Sequence, residues 1–415
     1  LPAPPRCIQR ICPQSHGLDC RGRKNKISSV FAELTMPEGD KSMSAERLFT
    51  GWDDAPARSL SMHKDAYIDP CWLKVDQKEI FHRSWQFVCH EENLRELGQY
   101  VAMNIQGQSI VALRGKDGEL RAFYNVCKHR GHELLKGSGQ TKRIICPYHS
   151  WSYDLDGTFL EARQSRFIEN FDGDDFCLDQ VQIEVFCHLV FVNLDPEASP
   201  LAVQSGNLAG EIMRYAPDLG RLTFAHRLTY TIKANWKSVV DNFLECYHCP
   251  VAHKDFCTLI EMDTYRVETH GIYSSHMAKA GRSDNKAYST DGASVTDHAV
   301  WYLWPNTTLM RYPGRGNFMV WRFYPVGPEE TYEEFDFFFE SAEVLEEEKE
   351  AIEFIDDILQ PEDISLVESV QRGMQTPAYQ QGRYMVDPDG SGLSEHAVHH
   401  FHSLVRKAYL GEKIA

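Results

Sequence analysis

Residues 127–151 read CKHRGHELLKGSGQTKRIICPYHSW, and the pairing within this stretch constrains the fold more than any other feature. Cys127-x-His129 follows the strand-like run YNV, and Cys146-x-x-His149 follows RII. A centre that takes one Cys and one His from each pair requires two loops of a small β domain to face each other. Two kinds of metal suit such a set. Thiolates on one ferric iron and neutral imidazoles on a second make a [2Fe–2S] cluster whose potential lies above that of an all-Cys cluster. A tetrahedral zinc takes the same four ligands, although zinc ribbons more often use Cys-x-x-Cys knuckles. His132 has the wrong spacing for either and reads as a loop histidine.

The flanking sequence agrees with a β domain. Short runs such as WQFVCH, YVAMNI, SIVALRG, LRAFYNV and EVFCHLVFVNL are separated by turn signals, RGKDGEL and the Asp156-Gly157 pair among them. This predicts an antiparallel β domain over 84–200, ending in the linker-like SPLAVQSGNLAGE. Beyond it, over 201–415, strand-like runs such as AVWYLWPNTTLMRYP and NFMVWRFYPVG give way to a long acidic helical stretch from about Ala342. An amphipathic helix in SEHAVHHFHSLVRKAYL, with Ser394 as its cap, ends the pattern. Strands followed by helices predict an α+β region, to which 46–83 contributes an N-terminal part. Residues 1–45 are Pro-rich and basic, without the apolar core of a secretory signal. They read as a disordered extension or as sequence ahead of a start at Met36, Met43 or Met62, with a transit-like peptide as the alternative.

A chain of 415 residues suffices for two or three domains. Its 43 Lys and Arg against 60 Asp and Glu leave a net charge of −17. That excludes a general nucleic-acid binder, which needs a basic face, and fits an enzyme that docks a basic redox partner. No apolar run is long enough to span a bilayer. The twelve cysteines are scattered, several beside histidines, which reads as metal binding in a reducing, cytoplasmic setting.

A second constellation lies in DNFLECYHCPVAHKDF, residues 241–256. The apolar spacing of Val239, Val240, Phe243, Leu244 and Tyr247 predicts a helix that bends or ends near Pro250. Two readings are open. His248 and His253, with a distant carboxylate, make the two-His, one-carboxylate face of an open iron(II) site. Cys246, Cys249, His253 and Cys257 make a closed zinc site of uncommon spacing.

Taken together, CxH…CxxH followed about a hundred residues later by Asn235-Trp236-Lys237, Asp241-Asn242, Glu245, Tyr247-His248 and His253 resembles the oxygenase α subunit of Rieske-type non-haem iron oxygenases. The resemblance runs from about residue 60 to 412. It implies a Rieske β domain and a helix-grip catalytic domain, a homotrimer, and a [2Fe–2S] cluster on Cys127, His129, Cys146 and His149. It also implies a mononuclear Fe(II) on His248 and His253. Glu245, with Asp241 and Asn242 of the same motif, falls among the catalytic residues. In the family a carboxylate three residues before the first iron histidine bridges the cluster of one subunit to the iron of its neighbour, and it can accept an N–H from each imidazole. The third iron ligand is expected at Asp363, in QPEDISLVESVQRGM, with Asp356 and Asp357 as alternatives. Pro361 is expected to open that helix and Ile364, Val367 and Val370 to bury one face. Cys246 and Cys249 then become small core residues. The histidines of SEHAVHHFH, His396, His399, His400 and His402, read as surface and packing residues, because helical spacing divides them over several faces.

Glutamate at 245, where ring-hydroxylating relatives carry aspartate, resembles the branch that acts on quaternary ammonium compounds. VDNFLECYHCPVAH and GSGLSEHAVHHFH are similar to its carnitine-oxidising members, and TPAYQQGRY to its choline-oxidising ones. The resemblance implies hydroxylation by O2, with NADH electrons delivered by a separate flavin and ferredoxin-type reductase. Carnitine would yield trimethylamine and malic semialdehyde. Choline oxidation, N-demethylation of glycine betaine or stachydrine, and aromatic-ring dioxygenation are the other outcomes. Aromatic faces recognise a trimethylammonium group. Phe243, Trp301, Trp304, Tyr312 and Phe323 are the candidates for that box, with Tyr265, Tyr302 and Trp321 near them. Arg311, Arg315 and Arg322 are candidates for a substrate carboxylate.

Overall fold

The computed structural model describes residues 44–414; the expected N-terminal extension lies almost wholly outside them. The chain divides into two compact units. One comprises 94–183 and 194–197, the other 44–93, 184–193 and 198–414. The strands Gln86–His90 and Leu189–Asn193, expected in the β domain, pair with each other inside the second unit.

The paired strands of the first unit are all antiparallel. Gln99–Ile105 and Gln108–Arg114 form a hairpin, Leu120–Tyr124 pairs with the second of these, and Ser138–Gln140 with the first. A small sheet of Ile144–Ile145, Ser152–Tyr153 and Phe159–Glu161 completes it. Alternation puts Val111, Leu113, Phe123, Ile144 and Tyr153 into one core, and Cys127 and Cys146 belong to that core. The Asp156-Gly157 turn needs its glycine. Gly157 sits at φ +86°, and a Cβ there would lie 2.5 Å from the Phe123 ring.

The second unit is built on a seven-stranded antiparallel sheet. Its spatial order is 223–232, 330–339, 318–327, 307–311, 297–303, 273–280 and 260–270. The first strand therefore lies at one edge and the second at the other. The segment between them must cross the sheet, and that segment carries the second metal motif. Asn235 caps its helix Trp236–Phe243 by accepting from Lys237 N at 3.0 Å. Lys237 Nζ and the Trp236 indole N–H both donate to Asp76 Oδ2, at 2.5 and 2.8 Å, and the Tyr409 hydroxyl donates to Oδ1 at 2.6 Å. Lys237 and Asp76 are fully buried, so the Asn-Trp-Lys motif fastens the crossing helix to the fold.

The helix bearing Asp363 does not open at Pro361. A helix over Glu346–Phe354 runs through a π-turn at Ile355–Leu359 directly into Gln360–Met374. The wider turn absorbs the N–H that proline lacks. Val367 is buried, but Val370 is 48% exposed; the inward stripe is Gln360, Val367, Gln371 and Met374. Among the described residues no helix is long and apolar enough to cross a membrane.

Candidate active site

In the first unit the two predicted pairs sit on matched turns. Cys127 O accepts from Gly131 N and Cys127 N donates to His132 O, at 2.9 and 2.8 Å; Cys146 O accepts from Ser150 N and Cys146 N donates to Trp151 O, at 3.0 and 2.8 Å. Gly131 and Ser150, at the same place in each turn, both have positive φ. The two cysteines are buried and His129 is exposed. The imidazoles of His129 and His149 are 4.7 Å apart, with His129 stacked on Trp151. A buried sulfur side and an outward imidazole side suit a cluster whose two irons differ in ligands. His149 Nδ1 is buried without a hydrogen-bond partner, as a metal-directed nitrogen would be. The Tyr153 hydroxyl lies 3.4 Å from Cys127 Sγ, where a hydrogen bond tunes a thiolate ligand.

In the second unit His248, His253 and Asp363 converge. The two Nε2 atoms are 3.1 Å apart, and Asp363 Oδ1 lies 2.9 Å from His253 Nε2 and 3.5 Å from His248 Nε2. The outer nitrogens are both engaged: His248 Nδ1 with Glu245 Oε1 at 2.6 Å, and His253 Nδ1 with Glu362 Oε2 at 2.8 Å. With Nδ1–H donated outward, each Nε2 presents a lone pair. Two lone pairs and a carboxylate oxygen then face one another and require a cation between them. Metal–imidazole bonds of about 2.1 Å place neighbouring donors about 3 Å apart, so the spacing fits a bound metal. Without one, protons take its place. Burial opposes charging of His248, but Asp363 and Glu245 outweigh it and raise its pKa to about 10. His253 is raised in the same way, against burial, by Asp363 and Glu362.

Other expectations fare differently. The sulfur of Cys249 also lies within 4.8 Å of the imidazole nitrogens, but it is bonded to Cys246. That pairing removes two thiols from the zinc alternative; the two cysteines are buried, as expected of small core residues, and are also cross-linked beside the site. Asn242 lines the cavity over the triad, with Nδ2 3.5 Å from His248 Nε2. Asp241 does not. It accepts from the Tyr67 hydroxyl at 2.7 Å and pairs with His402 Nε2 at 2.8 Å, and His402 Nδ1 meets the Tyr384 hydroxyl at 2.6 Å. Asp241 thus anchors the helix instead of facing the reaction. His399 and His402 are buried, and His396 and His400 bond backbone carbonyls; the four share no centre. Asp356 accepts from Tyr230 and stays apart from the triad.

Phe243, Tyr265, Tyr312 and Trp321 line the same cavity as the triad, together with Phe256, Phe335, His298 and Gln360. Trp301, Trp304 and Phe323 do not. Strand alternation turns Trp301 away, where its indole donates to Glu211 at 3.0 Å. Trp304 packs on Phe401 beyond the strand end. Phe323 stands behind Trp321, with centroids 4.7 Å apart. The cavity lining contains no Lys or Arg. Arg311 is paired with Asp218, Arg322 with Glu334 and Asp336, and Arg315 reaches the backbone of Asp291.

Glu362, Asp76 and His298 were missed from sequence. Glu362 carried a signal: two adjacent acids at the helix start, one for each nitrogen of His253. Asp76 carried none, since its partner is 161 residues away. His298 shares strand parity with Val300, another lining residue, which becomes informative once the strand is placed.

Comparison with known proteins agrees with this geometry. The model for the ring hydroxylating alpha subunit (catalytic domain) matches residues 219–411, and that for the Rieske [2Fe-2S] domain matches 84–172. The carnitine monooxygenase oxygenase subunit of Escherichia coli (strain K12) is 40% identical over 356 residues, spanning 85% of this chain and 95% of that protein. The chloroplastic choline monooxygenase of Beta vulgaris is 31% identical, spanning 84% and 76%. The quaternary ammonium Rieske monooxygenase CntA in complex with L-carnitine superposes with a TM-score of 0.78 at 34% identity, covering 86% of this chain and 97% of that one. Naphthalene 1,2-dioxygenase from Rhodococcus sp., at 18% identity and a TM-score of 0.75 over 89% and 98%, shares the fold.

Proposed function

Since the chain belongs to the Rieske-type non-haem iron oxygenase α subunits, we propose that it is the oxygenase component of a two-component monooxygenase acting on a quaternary ammonium substrate, carnitine first among them. One observation carries the substrate class: six aromatic side chains, Phe243, Phe256, Tyr265, Tyr312, Trp321 and Phe335, line the cavity that also holds His248, His253 and Asp363. Aromatic faces attract a cation that has no hydrogen to donate, and a lining without Lys or Arg does not repel it. The relatives named for carnitine and choline support the same class.

Cys127, His129, Cys146 and His149 hold the [2Fe–2S] cluster in this reading, and His248, His253 and Asp363 hold the iron. Iron so held supplies activation of O2 beside the substrate. The protein orients the reacting carbon: the aromatic walls fix the ammonium group, and Asn242 borders the site at hydrogen-bonding range. Hydroxylation consumes O2, two electrons and two protons, inserting one oxygen atom into a C–H bond and releasing the other as water. On a carbon bearing the nitrogen, the resulting hemiaminal loses the amine, so carnitine gives trimethylamine and malic semialdehyde. The electrons come from NADH through a flavin and ferredoxin-type reductase. A homotrimer brings a neighbour's cluster to Glu245. The exposed Tyr247 and Val251, at 53% and 80%, supply apolar surface next to Glu245 and His248 for that contact.

The basic-free lining favours choline as a second reading, because carnitine's carboxylate would rest on neutral donors alone. The test is turnover by iron-loaded protein with NADH and a compatible reductase. Carnitine, choline, glycine betaine, stachydrine and benzoate are offered separately. Trimethylamine from carnitine supports the first reading, betaine aldehyde from choline the second. Formaldehyde from a betaine alone moves the chain to N-demethylation, and turnover of benzoate alone overturns the substrate class.

A further inference from the structure

Glu333 is a fully buried residue on the strand Glu330–Phe339. Neither of its carboxyl oxygens has a hydrogen-bond partner of normal geometry. Among the described residues no Lys, Arg or His pairs with it. Its cross-strand neighbours are Phe323 on one side and Tyr230 on the other, and the Tyr230 hydroxyl is committed to Asp356 at 2.9 Å. The basic side chains of this part of the sheet, Arg227 and Arg322, are taken by Glu334 and Asp336. Burying a carboxyl without a partner is costly, and this one stands one strand position behind the cavity wall.

That wall is Trp321. Its Cα pairs with Phe335, two residues from Glu333, so indole and carboxyl are diagonal neighbours on one face of the sheet. The indole ring lines the cavity and is stacked with Phe335 at 5.2 Å. The Trp321 N–H is itself buried without a partner of normal geometry. Two unsatisfied groups, an indole donor and a carboxyl acceptor, thus sit together behind an aromatic face that borders the triad.

We propose that Glu333 is a positioning residue that sets cation selectivity through Trp321, placing negative charge behind the indole so that its cavity face holds a trimethylammonium group. The inference rests on the quaternary ammonium reading and deepens it. A carboxyl accepting the indole N–H raises electron density on the ring, and the dry surroundings weaken screening of its charge. A carboxyl that accepts the indole N–H meets the ring at its edge, so the cavity face of Trp321 stays open to the cation. Burial holds the Glu333 carboxyl well above the usual range, and the Trp321 N–H works against that; a cation at the Trp321 face favours the carboxylate further, the proton passing to bulk water.

The test uses full-length, cluster- and iron-loaded protein and two probes of nearly equal shape, choline and its neutral isostere 3,3-dimethylbutan-1-ol. Binding is measured by calorimetry or by quenching of indole fluorescence. Wild type is expected to prefer choline. Glu333→Gln is expected to lower that preference about tenfold, with cluster absorbance and melting temperature unchanged, and Glu333→Asp to restore part of it. Turnover of the best quaternary substrate should show the loss in KM more than in kcat. Trp321→Phe, which keeps an aromatic face but removes the N–H, should lower the preference too, and adding Glu333→Gln to it should then change nothing further. Equal preference in wild type and Glu333→Gln overturns this inference and leaves the substrate class standing. Additive losses in the double variant overturn the route through Trp321. A wild type indifferent to the charge overturns both the inference and the reading beneath it.

Discussion

Replacing Glu362 by Gln isolates one support of the iron site without touching a ligand. Glu362 accepts from His253 Nδ1 at 2.8 Å while Asp363, the next residue, faces Nε2 of the same ring at 2.9 Å. The imidazole is therefore gripped at both nitrogens by one helical turn. A hydrogen bond to a charged group contributes about 1.5–3 kcal/mol when sheltered. The His253 side chain is 3% exposed but that of Glu362 is 38% exposed, so solvent screens the bond to roughly half, on the order of 1.4 kcal/mol. That is about a tenfold loss of iron affinity, at the lower end of what such carboxylate partners of ligating histidines contribute. Anaerobic competition for Fe(II) against a coloured chelator reads the affinity directly. Cluster absorbance serves as the internal control, because Cys127, His129, Cys146 and His149 belong to the other unit. Asp363→Ala should lose far more, at least a hundredfold, because it removes a donor atom. If Glu362→Gln binds iron as tightly as wild type, the carboxylate does not orient His253 and the argument from outward-donated Nδ1–H fails. If iron and cluster are lost together, the variant has misfolded and the pairing is structural.

Further outcomes follow from other parts of the molecule. In the metal-free chain the pKa of His248 is about 10, above its ordinary 6.5, so its charged contacts with Asp363 and Glu245 stabilise fully below pH 6.5 and are lost as pH rises through about 10. Iron must displace that proton, so apparent Fe(II) affinity should rise at least about tenfold per unit between pH 6.5 and 8.5; a flat profile by chelator competition would contradict the protonated triad. Asp76→Ala leaves Lys237 buried and unpaired, a loss of about 3–5 kcal/mol. The melting temperature of its unit should fall on the order of 10 °C, as followed by circular dichroism. Cys146→Ser should abolish the visible absorption of the cluster while iron binding to the other unit survives. Phe243→Ala removes one wall of the cavity and should raise KM for a quaternary substrate about three- to thirtyfold, the range of one cation–π contact, with benzoate binding changed less.

Most of the proposed ligands were legible because they come in local pairs. Cys127 and His129, Cys146 and His149, and His248 and His253 each lie close in sequence, so their meeting was readable, whereas Asp363, 110 residues from His253, was reached only through the family resemblance. The cavity was less legible because it depends on parity. Trp301 and Trp304 look equivalent in AVWYLWP, yet Val300 and His298 point into the cavity and Trp301 points away, since successive side chains of a strand alternate. Phe323 and Trp321 share a face, and only their depth behind Phe243 separates lining from support. A proline usually marks a helix start, but here the π-turn at Ile355–Leu359 runs straight into the helix that holds Pro361, Glu362 and Asp363 in its first turn.

The motif that named the family also divides by function once the partners are known. Asn235, Trp236 and Lys237 turn inward to a cap and to Asp76; Asp241 turns to Tyr67 and His402; Asn242, Glu245 and His248 turn to the cavity and the iron. The helix Trp236–Phe243 therefore carries the anchors, with Asn242 and Phe243 at its end turned to the cavity, and Glu245 and His248 stand on the turn that follows it. This explains why two of the anchors, the fully buried Lys237 and the partly buried Asp241, are charged. A hydrophobic face lets a helix slide or rotate against its neighbours, whereas Lys237 on Asp76 and Asp241 on His402 fix both rotation and register. The triad needs that: its donors must stay about 3 Å apart, and a one-residue rotation of the helix Trp236–Phe243 would swing its C-terminal end, from which the turn bearing His248 departs, by a full 100°.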